Sequence, residues 1–311
     1  MRSLIHCLSC NRKIAEWSPL VWLGVSAIAC CSLFLAAMSL SSSATENQRQ
    51  IVNVYCASAV VKPMNKIIDQ FNSSKLATSE KMVVNIVRSG GSGALAGQLN
   101  AETLTGVQDM ADVFVCADSN RMFQLIDRNV IDERFPITVQ FPVVAVRDDS
   151  DLNLNPVKDL RSLLNLEIKL GIGSVSSAIG FETDRVAKLK GCGQLLQTRK
   201  TAEFENVMSM AQALSLGSID AAVVWDSTVV QFNQTDNQPI RFVAYLDSDK
   251  LSNNKTTRFA HSRCFVEVGR SKSTSHLADL FFNYLRDNRN KLLEDFVDAG
   301  FSNDLPEALL Q

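Results

Sequence analysis

The chain has 311 residues, of which 46% are hydrophobic and 21% are charged, and its formal net charge at pH 7 is −2. This composition is typical of a globular protein with enough interior for two lobes, and it excludes an intrinsically disordered chain. Because the charge is nearly balanced and the basic residues are scattered, we expect no nucleic-acid partner.

An uncharged apolar segment, Pro19 to Leu40, follows three basic residues and precedes Ser41-Ser42-Ser43-Ala44. Such a segment directs the rest of the chain out of the cytoplasm, to the periplasm or another extracytoplasmic compartment. Ser42-x-Ala44 suits cleavage by signal peptidase, whereas the length of the apolar stretch suits a retained membrane span. We therefore interpret 1–44 as a signal peptide or a membrane anchor. Amino-terminal sequencing of the mature protein distinguishes the two.

The cysteines after this segment are Cys56, Cys116, Cys192 and Cys264. An exported compartment permits disulfides, and Cys192 with Cys264 is a pairing worth testing, although the sequence leaves the disulfide state open. Upstream, Cys7-x-x-Cys10 lacks the second pair of ligands that a structural zinc site requires. We interpret Cys7 and Cys10 as unrelated thiols.

From residue 51 onward, strand-like and helix-like segments alternate. The first half comprises a strand at Ile51 to Cys56, a helix at Pro63 to Phe71, a strand at Met82 to Val87, a helix from Ala94 and a strand at Asp112 to Cys116. This order predicts a parallel sheet covered by helices on both faces, with its ligand site beyond the carboxyl ends of the strands. Small polar residues follow each strand, so three loops are expected to meet at one rim.

The connection Arg88-Ser89-Gly90-Gly91-Ser92-Gly93 joins the second strand to its helix. Glycines that open a helix leave backbone N–H groups unpaired at the positive end of the helix dipole, which predicts an anion site. A phosphate-binding loop would need Lys and then Ser or Thr after the last glycine, where the chain has Ala94-Leu95. A nucleophile elbow would need glycine at Ala94. A tight connection without a ligand stays open, because glycine is common in such turns.

The second half repeats the pattern. Its predicted elements are strands at Phe141 to Val146 and Ile168 to Ile172, a small-residue turn to Gly180, helices to Lys190 and from Glu205 to Leu216, a buried strand at Ala221 to Asp226, two strand-like runs between Arg241 and Val268, and a helical carboxyl terminus from Thr274 to Gly300. The second lobe therefore presents a polar rim of its own to the first, and the carboxyl-terminal helices are expected to pack back on the first lobe.

Three motifs resemble those of the periplasmic molybdate-binding proteins of ABC transporters, the ModA family: Val54-Tyr55-Cys56-Ala57-Ser58-Ala59, Gly91-Ser92-Gly93-Ala94-Leu95 and Ala111-Asp112-Val113-Phe114-Val115-Cys116-Ala117-Asp118. The likeness runs from about Ile51 to Phe301. It implies the type II periplasmic-binding-protein fold, in which two α/β lobes are joined by a hinge with the ligand cleft between them. We accordingly expect 51–139 plus 269–311 to form lobe 1 and 140–268 to form lobe 2.

The resemblance also implies ligand-binding residues. Ser92 falls on a ligand serine of the family, Ile179 on a backbone-amide donor, and Val207 on a second amide donor at the start of a helix.

Two positions depart from the family pattern. The family's first serine aligns with Ala59, so its role passes to Ser58 or to a backbone amide. Trp225 stands where the family commonly has tyrosine, which replaces a hydroxyl by an indole N–H donor, and a role as a core anchor stays open for this aromatic residue. We expect Arg88 to strengthen the local field without touching the ligand and Asp226 to face away from it.

The resemblance implies a monomeric, non-enzymatic protein that captures molybdate or tungstate for the permease of an ABC importer, without a cofactor or a protein-coordinated metal. A fully ionised oxyanion offers acceptors only, so a site made of N–H and O–H donors suits it. The alternatives are a membrane-tethered ligand sensor with the same fold, a binder of another oxyanion such as sulfate, and a serine hydrolase at Ser92.

Overall fold

The computed structural model describes residues 50–106, 110–152, 154, 156–235, 239–247, 263–272 and 275–305. The chain divides into two units, 1–49 and 50–311, and the description below concerns the second. The predicted export segment, Pro19 to Leu40, lies outside the described residues, as do Cys7 and Cys10. Within the described part of the chain, no helix combines the length and the apolar character needed to cross a membrane.

The strands are β1 Gln50–Ala57, β2 Met82–Gly90, β3 Val113–Cys116, β4 Ile131–Gln140, β5 Pro142–Arg147, β6 Leu170–Gly173, β7 Lys200–Phe204, β8 Ala221–Trp225, β9 Ile240–Tyr245 and β10 Cys264–Ser271. The helices are α1 Val61–Asn72, α2 Lys75–Ser79, α3 Ser92–Thr105, α4 Ser119–Asp127, α5 Leu160–Leu164, α6 Ala178–Leu189, α7 Gly193–Arg199, α8 Val207–Ser215, α9 Asp226–Asn233, α10 His276–Asp287 and α11 Arg289–Asp298. A single 3-10 turn, Ser58–Val60, follows β1.

Two five-stranded sheets organise these elements, and each forms the centre of one lobe. The strand order is β2-β1-β3-β10-β4 in the first sheet and β7-β6-β8-β5-β9 in the second. Strands β1, β2 and β3 are parallel, as are β6, β7 and β8. The parallel arrangement predicted for the first three strands is confirmed. Strands β10 and β5, which come later in the chain, each run antiparallel to both of their neighbours. These are the strands by which the chain passes between the lobes.

The chain passes from lobe 1 to lobe 2 after β4 and returns to lobe 1 at β10. The predicted lobe boundary agrees with the structure at the first of these crossings and differs from it at the second. Strand β4 ends at Gln140 and β5 begins at Pro142, next to the expected boundary between 139 and 140. Strand β10, however, pairs along its whole length with β3 and β4 of the first sheet. Residues 264–268 therefore lie in the first sheet, whereas we expected them in lobe 2. An apolar run does not itself indicate which sheet a returning strand will join.

Helix α1 shows why the apolar pattern predicted lobe 1 well. Met64, Ile67, Ile68 and Phe71 recur at helical spacing and are all buried against the sheet. Phe71 also contacts the ring of Phe281 in α10, with the ring centroids 4.9 Å apart. The expectation that the carboxyl-terminal helices pack back on the first lobe is thus confirmed.

A half-buried carboxylate holds the segment where the chain first passes from lobe 1 to lobe 2. Asp226, the first residue of α9, accepts hydrogen bonds from the backbone N–H groups of Phe141 at 3.0 Å and Ser227 at 2.8 Å. The Asp226 backbone N–H in turn donates to the Phe141 carbonyl at 2.9 Å. Phe141 is the residue between β4 and β5, so these bonds hold the crossing segment against the end of β8. Burial raises the pKa of Asp226 to about 6.

The raised pKa gives this contact a pH dependence of defined sign. Because Asp226 binds its proton more tightly in the folded than in the unfolded chain, the stability that it contributes is present at acidic pH and is lost as pH rises through about 6. Asp226→Asn keeps the acceptor oxygen and removes the charge. We expect the free energy of unfolding of the wild type to fall by about 2 kcal/mol more than that of the variant between about pH 4.5 and 7.5.

Urea unfolding across this pH range measures the difference. Asp127→Asn, at an exposed position, is the control and should follow the wild type. Parallel curves for the wild type and Asp226→Asn would contradict the assignment.

Candidate functional site

A small pocket lies between the carboxyl ends of strands from the two sheets, where the three loops were expected to meet. Its cavity volume is about 20 Å³, a little more than a single water molecule requires. Its lining comprises Ala57, Ser58, Ala59, Gly90, Gly91, Ser92 and Ala117 from lobe 1, and Ser177, Ala178, Ile179, Asn206, Val207 and Trp225 from lobe 2. The structure thus brings the predicted site residues Ser58, Ser92, Ile179, Val207 and Trp225 to one place.

Ser92 opens helix α3, two residues earlier than the sequence indicated, and strand β2 continues through Gly90. The predicted glycine connection therefore shrinks to the single residue Gly91. The Ser92 side chain is buried, and its Oγ accepts a hydrogen bond from the Ala117 N–H at 3.2 Å. The Ser92 hydroxyl also interacts with the buried Cys116 thiol. A bond from Ser92 to a solute would use the hydroxyl proton, because the oxygen already accepts from Ala117.

The glycines at this turn allow the backbones of the two lobes to come into direct contact. Neither Gly91 nor Gly93 has a positive φ. A Cβ on Gly93 would lie 1.9 Å from the Ser176 carbonyl oxygen, and one on Gly91 would lie 2.6 Å from the Glu205 carbonyl oxygen. Lobe 1 backbone thus packs directly on lobe 2 backbone at the edge of the pocket, which only glycine permits.

Ser58 lies in the 3-10 turn after β1 and is half-buried. The turn is held from the opposite lobe, because the Gln231 side chain in α9 donates Nε2–H to the Ala59 carbonyl at 2.9 Å. The Ser58 hydroxyl has no hydrogen-bond partner among the residues that the structure describes. It therefore remains a donor on the lobe 1 side of the pocket.

On the lobe 2 side, two helices begin at the pocket with capped first turns. Ser177 Oγ accepts from the Gly180 N–H at 3.1 Å at the start of α6, and Asn206 Oδ1 accepts from the Ser209 N–H at 2.9 Å at the start of α8. These caps leave the earlier N–H groups, including those of Ile179 and Val207, without an intrahelical acceptor. The predicted amide donors therefore lie at helix starts, beside the pocket.

Sequence reasoning missed Ser177 and Asn206 as lining residues. Both could have been found, because each immediately precedes a helix and is of a residue type that caps helix amino termini.

Trp225 is the last residue of β8, and its side chain is only 1% exposed. Its indole N–H has no acceptor among the described residues. A buried indole normally finds a hydrogen-bond partner, so a solute acceptor in the pocket would satisfy it. Burial also fits the alternative of a core anchor, and a variant below distinguishes the two.

No charged side chain lines the pocket. Arg88 is engaged elsewhere, because its Nε donates to the Tyr55 hydroxyl at 3.0 Å and one terminal nitrogen lies 3.8 Å from the Glu102 carboxylate. Asp226 is also outside the lining, with its carboxylate on the backbone amides described above. Within the described ranges, no group of three or more His, Cys, Asp or Glu side chains is placed to hold a metal ion.

The suggested pairing of Cys192 with Cys264 was wrong: all four cysteines of the described part are free thiols. Cys264 instead donates its thiol proton to the Ala117 carbonyl, with Sγ and O 2.9 Å apart. Ala117 is thus held on both sides: its carbonyl accepts from Cys264 and its N–H donates to Ser92. Burial raises the pKa of the Cys264 thiol well above its usual value, which keeps it protonated.

The arrangement offers hydrogen-bond donors of the kind that suit an anion. Hydroxyl, indole and backbone N–H donors converge from both lobes, and helix starts carry partial positive charge toward the pocket. Within the part of the chain that the structure describes, no side-chain base contacts the Ser92 hydroxyl, and His276 opens α10 rather than lining the pocket.

Comparison with known proteins agrees with this geometry. The family described as bacterial extracellular solute-binding protein matches residues 52–296. No curated protein sequence matches the chain.

Solved structures with the same fold bind different solutes. The periplasmic molybdate-binding protein of Azotobacter vinelandii is 17% identical, with 82% of this chain and 99% of that chain covered at a TM-score of 0.58. The sulfate-binding protein SubI of Mycobacterium tuberculosis is 12% identical over 84% and 89% at 0.60, and iron-bound HitA of Pseudomonas aeruginosa is 17% identical over 84% and 92% at 0.59. The type II periplasmic-binding-protein-like fold is confirmed.

Two glycines of α3 provide a matched test of the contact between the lobes. Gly93→Ala would place a methyl group 1.9 Å from the Ser176 carbonyl oxygen, whereas a Cβ at Gly97 meets nothing within 4 Å. We expect Gly93→Ala to hold the lobes apart, so that hydrogen–deuterium exchange at residues 174–182 and 205–209 becomes at least tenfold faster. Gly97→Ala should leave that exchange unchanged and stabilise α3 by roughly 0.5–1 kcal/mol.

Equal exchange in the two alanine variants would show that the lobes do not depend on this backbone contact.

Proposed function

Because the chain belongs to the bacterial extracellular solute-binding protein family, we propose that its solute is molybdate or tungstate and that it delivers this oxyanion to the permease of an ABC importer. Family membership makes the chain a solute-binding protein of an extracytoplasmic compartment. The proposal concerns which solute it captures and where the solute goes.

The observation that carries the proposal is a pocket lined by donors and by no charged side chain. A doubly charged, fully ionised oxyanion accepts hydrogen bonds at every oxygen, so hydroxyl, indole and amide donors can all be satisfied together. A protonated phosphate would bring an O–H group that needs an acceptor, and the pocket lining offers it no carboxylate.

Helix starts replace a cation in neutralising the anion. The first turns of α3, α6 and α8 adjoin the pocket, and each carries unpaired N–H groups and the positive end of a helix dipole. No buried lysine or arginine need then be desolvated in the empty protein. The pocket can therefore close, fill and open again without leaving an unpaired side-chain charge behind.

Capture and release follow from the division of donors between the lobes. Lobe 1 supplies the hydroxyls of Ser58 and Ser92, and lobe 2 supplies the Ile179 and Val207 amides and the Trp225 indole. Only the closed form presents both sets at once, so an oxyanion binds the closed form more tightly and shifts the population toward it. Opening at the permease would break half of the bonds and release the solute.

The motif resemblance favours molybdate over sulfate, because Ser92 and the segments around it follow the pattern of molybdate-binding proteins. Sulfate has the same charge and shape but is smaller, so selection between the two rests on the size of the closed pocket. The titration below therefore includes sulfate as a competing outcome.

Calorimetric titration of the full-length protein in mild detergent with molybdate, tungstate, sulfate and phosphate tests the proposal. We expect molybdate and tungstate to bind and phosphate not to bind. Ser92→Ala removes one hydrogen bond to a charged acceptor, and we expect it to weaken binding by about 10- to 100-fold. Ser73→Ala, at an exposed position, is the matched control and should bind like the wild type.

Failure of all four anions to bind would refute the proposal, and tight binding of sulfate alone would replace molybdate by sulfate. The tethered-sensor alternative is decided separately by sequencing the mature amino terminus, because it requires that residues 19–40 be retained.

Trp225→Phe decides the role of the indole. Phenylalanine keeps an aromatic ring in the buried position but has no N–H, so we expect molybdate affinity to fall by about tenfold while the urea midpoint changes little. Unchanged affinity with reduced stability would instead identify Trp225 as a core anchor.

A further inference from the structure

The side chain of Arg121 reaches from lobe 1 to lobe 2 beside the pocket. It lies in the first turn of α4, in lobe 1, two residues after the helix begins at Ser119. Its guanidinium donates to the Val175 carbonyl oxygen in lobe 2 at 3.2 Å. Its central carbon also lies 5.7 Å from the centre of the Phe181 ring, in α6 of lobe 2. One side chain thus holds two contacts across the cleft.

The lobe 2 partners of Arg121 belong to the segment that supplies the solute donors. Val175 stands in the turn before α6, and the next residues of that turn and helix, Ser177 to Ile179, line the pocket. Ser176, between them, is the residue on which Gly93 packs. Arg121 Nε lies only 3.3 Å from the Cβ position of Gly93, so the arginine and the backbone contact form one continuous patch at the pocket edge.

Within lobe 1, the Arg121 guanidinium has two polar partners, Asp118 and Gln124. Its Nε lies 3.7 Å from Asp118 Oδ2, beyond hydrogen-bond distance, and both atoms are buried without a hydrogen bond among the described residues. A terminal nitrogen also donates to Gln124 at 3.2 Å. Asp118 thus orients the guanidinium by charge, and the directed bonds of the group go to Gln124 and to lobe 2.

We propose that Arg121 stabilises the closed arrangement of the two lobes and thereby slows release of the bound solute. The contacts to Val175 and Phe181 can form only when the lobes meet, so they favour the closed form and contribute nothing to an open one. Since the apparent affinity scales with the fraction of protein able to bind, a residue outside the pocket tunes affinity in this way. The identity of the solute in this inference rests on the proposed function.

The test compares Arg121→Met with Arg128→Met in the full-length protein. Methionine keeps an apolar stem and removes the charge, and Arg128 follows the same helix at an exposed position. With molybdate, we expect Arg121→Met to dissociate about tenfold faster at a nearly unchanged association rate, which weakens affinity about tenfold. Arg128→Met should remain within about twofold of the wild type. Equal dissociation rates in the two variants would overturn the proposal.

A double-mutant cycle separates a contact across the cleft from a local defect in α4. If Arg121 acts through the opposite lobe, Phe181→Leu should also speed dissociation, and the combined variant should show less than the product of the two single effects. Independent effects that multiply would overturn the ring contact as part of the mechanism. Phe181→Leu also serves as the test variant should Arg121→Met fail to fold.

Hydrogen–deuterium exchange without ligand keeps the inference separate from the proposed function. If the wild type binds none of the oxyanions, the proposed function fails, yet exchange at residues 174–182 still reports on the contact. Faster exchange there in Arg121→Met than in Arg128→Met supports the role of Arg121, and identical exchange refutes it.

Discussion

Presenting backbone N–H donors to a small pocket that no charged side chain lines is the constraint on which much of this structure depends. Backbone N–H groups are available for such a task only where a helix begins, because later ones are used within the helix. Three helices accordingly begin at the pocket, and in α6 and α8 the caps Ser177 and Asn206 each accept a hydrogen bond from one amide of the first turn. Much of the lining can then consist of small residues, since the main-chain donors need no long side chains to present them.

The second requirement is that donors on separate lobes come within reach of one small solute. The backbone contact of Gly93 with Ser176 and the bridge from Gln231 to Ala59 bring the two halves together from different sides of the pocket. Asp226 meanwhile holds the crossing segment at Phe141 against the end of β8. Affinity in such a protein depends on contacts well outside the pocket as much as on those within it.

Much of the fold and of the site could be predicted from the sequence, for identifiable reasons. Apolar spacing predicted α1 and the strands of both lobes, the small-residue turns indicated where a pocket would lie, and the family resemblance implied Ser92, Ile179 and Val207 as residues of it. The reversed direction of β5 and β10 could not be predicted, because strand direction follows from which sheet a strand joins. The requirement for glycine at position 93 could not be predicted either, because the atom that excludes a side chain there is the carbonyl oxygen of Ser176, a residue 83 positions later in the chain.

Because the thiols are buried in the folded protein, it matters whether the exported chain folds before its cysteines are oxidised. Once folded, Cys56, Cys116 and Cys264 are sealed from solvent as neutral thiols, so an oxidising compartment has little access to them. In the unfolded chain the same groups are exposed and, with Cys192, can pair in three ways, none of which occurs in the native state. Folding therefore competes with oxidation, and rapid burial of the strands that carry these thiols protects the chain from covalent misfolding.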